Sequence, residues 1–403
     1  MTKFSKWPFF DKNQIKSAKN VLSSGNVNFW TGSECKSFED EFAKYFGVRY
    51  AISLANGTLA LELALKALGL GNNDEVIVSS RSFFASASCI VNIGAQPVFC
   101  DVDLNSGNIS PNSIVNNITK NTKAIICVHL AGWPCDMSEI INIAKKHNLF
   151  VIEDCAQSHG GLYKGKPLGS FGDVSCWSFC QDKIITTAGE GGMIATNSKK
   201  IMLKIFSLKD HGKNFLKITN KSTNNRFRWL HDAFGTNARM TEVQAAIGRL
   251  QLRKLNKWVL LRNRNSNILK KELSEVNALF IPNFRCASCT SECKKKKTNE
   301  KLCLHANYKF YAYVRKSHLK RGWSRNRIID ELNTKHTPCF QGSCSEIYRE
   351  KAFSKICKQK RLTNARAMSE NSIMFLVHPT LKISEMKKMS KIIKDTFKIA
   401  SKK

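Results

Sequence analysis

No apolar run in the sequence approaches the ~20 residues that a helix needs to cross a bilayer. The first eight residues carry a little positive charge, and no uninterrupted apolar stretch follows them. A secretory signal peptide has such a stretch. We therefore predict a cytoplasmic protein without a membrane span.

Acidic residues are scarce: 31 Asp and Glu stand against 64 Lys and Arg, which gives a formal net charge of +33. Such an excess is typical of proteins that bind nucleic acid or an acidic surface. No nucleic-acid motif accompanies it, and the basic residues are spread over predicted helical faces such as 253–257 and 387–391. We therefore predict no nucleic-acid partner, and we interpret the charge as a solvated basic surface that also attracts anionic substrates.

Disulfide bonds are not indicated, although the chain has 15 cysteines. Several of them stand singly in apolar, strand-like runs, where a small buried thiol is the ordinary interpretation. These are Cys89, Cys100, Cys127, Cys155 and Cys176. We expect reduced cysteines.

Apolar, strand-like runs alternate with helical patterns from about residue 50 to residue 200. The alternation predicts an α/β fold with a mostly parallel sheet covered by helices on both faces. The predicted strands are 50–54, 75–78, 97–100, 124–128, 150–152 and 174–177. Ligands of such a sheet bind at the carboxyl ends of the strands.

The length of 403 residues predicts two domains, or one large α/β domain with an appendage. We assign residues 1–250 to a large domain and residues 251–403 to a smaller α+β domain. The smaller domain has a predicted strand at 308–314, a helix at 324–333 and a terminal helix at 383–399. One long helix, capped by Thr241 and reaching Leu273, is expected to link the two domains.

Lys183 is the residue on which the functional prediction depends. It follows an apolar strand and precedes Gly189-Glu190-Gly191-Gly192, whose glycines let the backbone pass close to a bound ring. Asp154 ends another apolar strand, where an uncompensated charge is costly. A pyridoxal phosphate (PLP) enzyme needs this pair, since the amine forms a Schiff base with PLP and the acid keeps the pyridinium nitrogen protonated. A surface lysine and an isolated strand-end acid are the alternatives.

Other segments offer contacts for the same cofactor. A phosphate group needs backbone amides at a helix start, and Asn56-Gly57-Thr58 supplies them together with a hydroxyl. Ser178 can add a second hydroxyl, and Gln157 can lie against the ring oxygen. Phe83 follows another predicted strand and is either a face that stacks on the pyridine ring or a core residue.

These segments, together with residues 235–242, occur in the order in which they are found in the DegT/DnrJ/StrS family of sugar aminotransferases, which the chain resembles over nearly its whole length. The resemblance implies fold type I, the fold of aspartate aminotransferase, with PLP bound by the large domain. It also implies a homodimer with active sites at the subunit interface. The amino acceptor would be a nucleotide-linked keto sugar, of the 4-keto-6-deoxy kind, and the donor would be an amino acid, glutamate.

The resemblance assigns a role to each candidate residue. Lys183 is the Schiff-base lysine, Asp154 is the pyridinium partner, and Gln157 contacts the ring hydroxyl. Thr58 and Ser178 are phosphate ligands, and Gly57 belongs to the same cofactor-binding segment as Thr58. Asn237 would reach the phosphate of the neighbouring subunit's cofactor; the alternative is a loop residue that caps the following helix.

Family members that remove a sugar hydroxyl have histidine where this chain has Lys183, so transamination is favoured over dehydration. A catalytically silent PLP-binding regulator is a further alternative. The segments 30–32, 129–136 and 338–348 also resemble those of enzymes of surface-polysaccharide synthesis, such as lipopolysaccharide O-antigen, and are expected to face the sugar nucleotide.

A Cys- and Lys-rich segment near 284–304 departs from the family pattern and resembles an insertion. Thiolates and an imidazole at such spacings can hold a structural zinc ion. The residues concerned are Cys286, Cys289, Cys293, Cys303 and His305. Because the spacing is not that of a standard zinc finger, we interpret the segment as a solvated loop and predict no metal site.

Overall fold

The computed structural model describes residues 4–219, 229–283 and 303–402. The strands up to residue 200 are β1 (Tyr50–Leu54), β2 (Glu75–Ser79), β3 (Gln96–Cys100), β4 (Thr122–Val128), β5 (Phe150–Asp154), β6 (Leu162–Tyr163), β7 (Lys166–Pro167), β8 (Val174–Ser178) and β9 (Gly192–Thr196). Seven of them form one sheet in the spatial order β1-β9-β8-β5-β4-β2-β3. β6 and β7 pair separately as a short hairpin.

The large sheet is mostly parallel, as predicted. β9 runs antiparallel to β1 and β8, whereas the remaining neighbours pair in parallel. Each predicted strand is present within a few residues of its expected bounds. β9 was not predicted from the sequence. It begins at Gly192, at the end of a glycine-rich segment that indicates a turn.

The helices of the described residues are α1 (Lys12–Ser24), α2 (Glu34–Phe46), α3 (Gly57–Ala67), α4 (Ala85–Asn92), α5 (Pro111–Asn116), α6 (Met137–His147), α7 (Lys199–Lys209), α8 (Phe215–Thr219), α9 (Glu242–Leu252), α10 (Leu255–Leu273), α11 (Arg325–Thr334), α12 (Thr363–Asn371) and α13 (Ile383–Ala400). They cover both faces of the large sheet. Val76 and Val78 of β2 pack in one apolar cluster with α3 and α4, whereas Ile77 between them packs in another with α6. This is the burial expected of a parallel strand, and it explains why the strand is apolar throughout.

The prediction of a single linking helix from Thr241 to Leu273 is wrong in one respect, because the structure divides this segment into α9 and α10. The amide of Lys254 bonds to the carbonyl of Gln251, three residues back, and so interrupts the regular four-residue pattern. Neither glycine nor proline stands at the break, so the sequence carries no signal for it. Thr241 caps α9 as predicted, its side chain accepting from the amide of Gln244.

A second, antiparallel sheet lies in the last third of the chain. Its strands are β10 (Leu279–Phe280), β11 (Phe310–Val314), β12 (Cys339–Phe340) and β13 (Ser372–Phe375), in the order β10-β11-β13-β12. The end of α10 packs with this sheet, α11 and α13 in one apolar cluster. The strand and the two helices predicted in this region are therefore present, while the domain boundary at residue 250 stays a prediction.

Cys286, Cys289 and Cys293 of the predicted insertion lie outside the described residues. Of the other two, His305 accepts a hydrogen bond at Nδ1 from the amide of Asn307 at 2.9 Å. The described cysteines other than Cys303 are free thiols, and the five expected to be buried singly in the sheet region are buried. Among the described helices, none is both long enough and apolar enough to span a membrane.

Candidate active site

A cavity of about 1090 Å³ lies where several strands of the large sheet end. β5 ends at Asp154 and β8 ends at Ser178, and the segments that follow β1 and β2 reach the same cavity through Gly57 and Phe83. Parallel strands bring their carboxyl ends to one edge, so residues far apart in sequence meet there. Seven of the eight predicted site residues line this cavity: Gly57, Thr58, Phe83, Asp154, Gln157, Ser178 and Lys183.

The start of α3 forms an anion-binding corner of the cavity. Asn56 caps the helix, its Oδ1 accepting from the amide of Leu59 at 2.9 Å. The amides of Gly57 and Thr58 belong to the first turn, which has no acceptors within the helix. Ser178 closes the corner so tightly that a Cβ on Gly57 would lie 2.6 Å from its Cβ. Amides at a helix start, with the hydroxyls of Thr58 and Ser178, suit a phosphate group.

Asp154 is a buried carboxylate that lines the same cavity, with 5% of its surface exposed. Its Oδ2 accepts from the Ser86 hydroxyl at 2.7 Å and its Oδ1 from the amide of Ala156 at 3.1 Å. Burial raises the pKa of Asp154 above its ordinary value in spite of these two bonds. A cationic N–H group placed in the cavity would favour the ionised form of Asp154, and a pyridinium nitrogen is such a group.

Lys183 lies on the loop after β8 and is mostly buried, with 16% of its side chain exposed. Its Nζ donates to the Tyr308 hydroxyl at 3.3 Å and lies 3.5 Å from Oδ1 of Asp182. The indole N–H of Trp7 donates to the Lys183 carbonyl at 2.9 Å and fixes the loop. The amine therefore faces the same cavity as Asp154, held by two side chains that a ligand can displace.

Asp182 joins Lys183 to a second pair of side chains. Its Oδ2 accepts a short hydrogen bond from the Tyr308 hydroxyl and lies 3.6 Å from Nζ of Lys309. Burial raises the pKa of Asp182, but the charge of Lys183 and the bond from Tyr308 bring it below its ordinary value. Burial lowers the pKa of Lys309 to about 8, although Asp182 acts in the opposite direction.

The sequence model of the DegT/DnrJ/EryC1/StrS aminotransferase family matches residues 8–394. The chain belongs to this family. Its cofactor is PLP, on which the family's aminotransferases depend, and the corner at α3, the carboxylate of Asp154 and the amine of Lys183 fit the phosphate, the ring nitrogen and the aldehyde of that group. The resemblance and the cofactor predicted from the sequence are confirmed.

Three known proteins illustrate the relationship. The GDP-perosamine synthase of Escherichia coli O157:H7 is 44% identical over 245 residues, which are 61% of this chain and 64% of the relative, so the chain aligns with less than two thirds of that relative's length. The X-ray structure of an aminotransferase from Psychrobacter cryohalolentis is 47% identical, with a TM-score of 0.93, and the match covers 98% of this chain and 99% of that chain. A GDP-4-keto-6-deoxy-D-mannose-3-dehydratase of E. coli, solved with bound hydrated PLP, is 24% identical with a TM-score of 0.83, over 98% of this chain and 100% of that chain. At this identity the likeness shows the fold alone, and the fold class is confirmed.

Two residues of this DegT-family chain have contacts that narrow their roles. Phe83 is 68% exposed, which rules out the core-packing alternative and leaves its ring free to stack on a ligand in the cavity. Gln157 is buried, and its Oε1 accepts from the amide of Ala131 at 2.8 Å. The amide nitrogen is therefore the end of Gln157 that can donate to a ligand oxygen.

Asn237 is the predicted site residue that the cavity does not contain. It is exposed, and its Oδ1 lies 3.5 Å from the amide of Arg239. It does not cap α9, because Thr241 holds that position. The predicted contact across a subunit interface is the interpretation that remains for Asn237, and it stays a prediction.

Sequence reasoning missed Ser86, Asp182, Tyr308 and Lys309. Asp182 is the sequence neighbour of Lys183, so an acid beside the predicted Schiff-base lysine is a sequence signal for it. Tyr308 and Lys309 immediately precede β11, and Tyr308 is 126 residues beyond Asp182 along the chain. Only the topology of the two sheets brings them to the cavity.

Replacing Gly57 by alanine is expected to weaken PLP binding roughly 10- to 100-fold, since overpacking costs about 1–3 kcal/mol. The added Cβ would meet Ser178 and displace one side of the phosphate corner. PLP titration followed by absorbance measures the change. Gly71→Ala is the matched control, because its nearest neighbour is a carbonyl oxygen at 3.8 Å and the new methyl has space. Unchanged affinity in Gly57→Ala would show that the phosphate lies elsewhere.

Proposed function

We propose that the chain is a PLP-dependent aminotransferase that transfers the amino group of glutamate to a nucleotide-linked 4-keto-6-deoxy sugar. The observation that carries the proposal is the placement of the Lys183 amine and the Asp154 carboxylate in one cavity with the anion-binding start of α3. PLP, when bound, supplies the aldehyde that carries the amino group and the ring that accepts electrons. The amino sugar would enter surface-polysaccharide synthesis.

Each residue of the cavity has a part in this reaction. The Lys183 amine lies beside Asp182 and, once free, would take a proton from the donor α-carbon and give it to the carbon that held the transferred nitrogen on the cofactor. Asp154 stabilises positive charge on the ring nitrogen in a buried setting, where a charge pair is strong. Thr58 and Ser178 orient the phosphate, and the Gln157 amide nitrogen donates to the ring hydroxyl.

A sugar dehydratase is the second candidate, because a dehydratase shares the fold at 24% identity. Lys183 stands against it, since the dehydratases of this family have histidine at that place. A silent PLP-binding regulator is the third candidate. It has no need of an amine and a carboxylate facing one cavity.

Mass spectrometry of the product decides among these candidates. The purified protein is incubated with PLP, glutamate and GDP-4-keto-6-deoxy-D-mannose, a probe chosen because the relatives' names contain GDP-linked sugars. An aminotransferase gives a sugar that has gained nitrogen and keeps its other hydroxyls. A dehydratase gives a sugar that has lost oxygen, and a regulator leaves the sugar unchanged across a panel of nucleotide keto sugars.

We also propose a homodimer with shared active sites and a cytoplasmic location. Large apolar side chains are exposed near Asn237, with Trp229 81% and Phe234 99% exposed, and a second copy of the chain would cover them. The same contact would bring Asn237 towards the partner's cofactor. A sedimentation mass equal to one chain would contradict the dimer.

A further inference from the structure

A second cavity, of about 820 Å³, adjoins the first. The two cavities share the lining residues Asp182, Tyr308, Lys309, Phe340 and Leu376. Neither the cofactor contacts nor the roles proposed above use this second cavity. It lies on the side of Lys183 that faces Trp7 and α10.

The charges that line the second cavity are unbalanced. Asp182 is its one carboxylate among the described residues, against the cations Lys6, Arg262 and Lys309. Nζ of Lys309 is 3.6 Å from Asp182, which is too far for a hydrogen bond, and its side chain is 14% exposed. The cavity therefore contains a partly exposed ammonium group whose acid neighbour is already engaged by Tyr308 and Lys183.

Arg262 adds a deeper positive charge behind Lys309. It is 1% exposed, and its Nη1 donates to the carbonyls of Asn307 and Tyr308 at 3.3 and 3.1 Å. Its Nε and Nη2 are buried without a hydrogen-bond partner among the described residues, although the guanidinium lies 5.3 Å from the Trp7 ring centre. Buried cations in excess of acids are costly, so an anion that enters here gains from them.

We propose that this second cavity is the subsite for the carboxylate of the amino donor, with Lys309 as the residue that pairs with it and Arg262 as the charge behind. The inference rests on the proposed function, because it assumes an amino acid as donor. On this proposal, the large cavity holds PLP and the sugar, and the adjoining cavity holds the carboxylate of the amino donor.

The position of Lys309 beside Lys183 favours a donor carboxylate over the diphosphate of the sugar nucleotide. Lys183 and Lys309 lie next to the two oxygens of one carboxylate, that of Asp182, and their Nζ atoms are 4.9 and 4.7 Å from the centre of the same Tyr308 ring. The α-carboxylate of an amino acid is bonded to the carbon that carries the transferred nitrogen, so it must lie close to Lys183. The diphosphate is separated from the keto carbon by the width of the sugar ring and would lie farther away.

Calorimetric titration of the PLP-loaded protein with glutarate tests the subsite without any reaction, since glutarate has two carboxylates and no amine. Lys309→Met is expected to weaken glutarate binding roughly 10- to 100-fold, the loss of one charge-assisted hydrogen bond. Lys309→Arg keeps the charge and should recover part of the affinity. Lys316→Met is the matched control, because Lys316 pairs with an acid, Glu370, at the surface. Physiological salt screens non-specific attraction to the basic surface.

Steady-state kinetics give a second readout. In Lys309→Met the KM for the amino donor should rise by a similar factor, while the KM for the keto sugar stays within about twofold of the unmodified protein. Failure of the unmodified protein to bind glutarate, or equal affinity in Lys309→Met and the unmodified protein, would overturn the subsite. If no amino acid donates nitrogen to any keto sugar, the proposed function falls instead, and this result is read from the product and not from the glutarate titration.

Discussion

Lys183→Ala is expected to abolish amino transfer, with a loss of roughly 10⁴-fold or more. In the proposed function, the substitution removes both the group that would hold PLP covalently and the base that would move the proton. The described residues place one other amine, that of Lys309, near this point, but it lies on the far oxygen of Asp182. Product formation from glutamate and keto sugar measures the loss, and borohydride reduction followed by peptide mapping should attach PLP at position 183 in the unmodified protein.

Two further variants separate the chemistry of Lys183 from its charge. Lys183→Arg keeps a cation that can pair with Asp182 but cannot form a Schiff base, so it should be as inactive as Lys183→Ala. Lys309→Ala should keep the borohydride label at position 183. A label that persists in Lys183→Ala and disappears in Lys309→Ala would exchange the roles of the two lysines and overturn the proposed assignment.

The sequence predicted those site residues that stand beside a strong local pattern. Asp154 and Ser178 end apolar strands, and Gly57 and Thr58 open a helix that follows a third apolar strand. A run of apolar residues in the sequence therefore marks each of these positions. Parallel strands then fix where their ends meet, whichever side chains they carry. For this reason the cavity was predictable as a whole although its geometry was not.

The residues that the sequence did not reveal depend on contacts between distant segments. Tyr308 and Lys309 stand immediately before β11, and nothing around them in the sequence distinguishes a site residue from a strand residue. Their role depends on how the second sheet meets the loop of Asp182. The break between α9 and α10 is a similar case, since it follows from a backbone bond at Lys254 in a sequence without helix-breaking residues.

Asp154→Asn is expected to lower the rate of amino transfer roughly 10²- to 10³-fold, the usual effect of removing one buried electrostatic contact to a reacting group. Asparagine has the same shape but no negative charge, so a pyridinium nitrogen would lose its partner. Ser86→Ala is the matched control, because it deletes one hydrogen bond to Asp154 and keeps the carboxylate. It should cost about tenfold or less. Turnover of the three proteins, each saturated with PLP, gives the comparison.

The same substitution, Asp154→Asn, should stabilise the PLP-free protein although it lowers the rate of amino transfer. The folded-state pKa of Asp154 is raised by burial, so the folded chain holds this proton more tightly than the unfolded chain. Ionisation of Asp154 therefore lowers stability as pH rises from the unfolded value near 3.8 through the raised folded value. Asp154→Asn removes this ionisation, so the melting temperature of the PLP-free variant relative to the unmodified protein should rise as pH increases above 3.8.

Bound PLP should reverse this advantage, because a cationic ring nitrogen would compensate the Asp154 carboxylate in the unmodified protein and would find no anion in Asp154→Asn. The gain in melting temperature on adding PLP should thus be larger for the unmodified protein than for the variant, as measured by calorimetric or fluorescence melting with and without PLP. A purely structural aspartate predicts a different pattern, in which Asp154→Asn melts lower in both states and by the same amount. The difference between the two melting shifts identifies the charge of Asp154, and not its shape, as the feature that the cofactor requires.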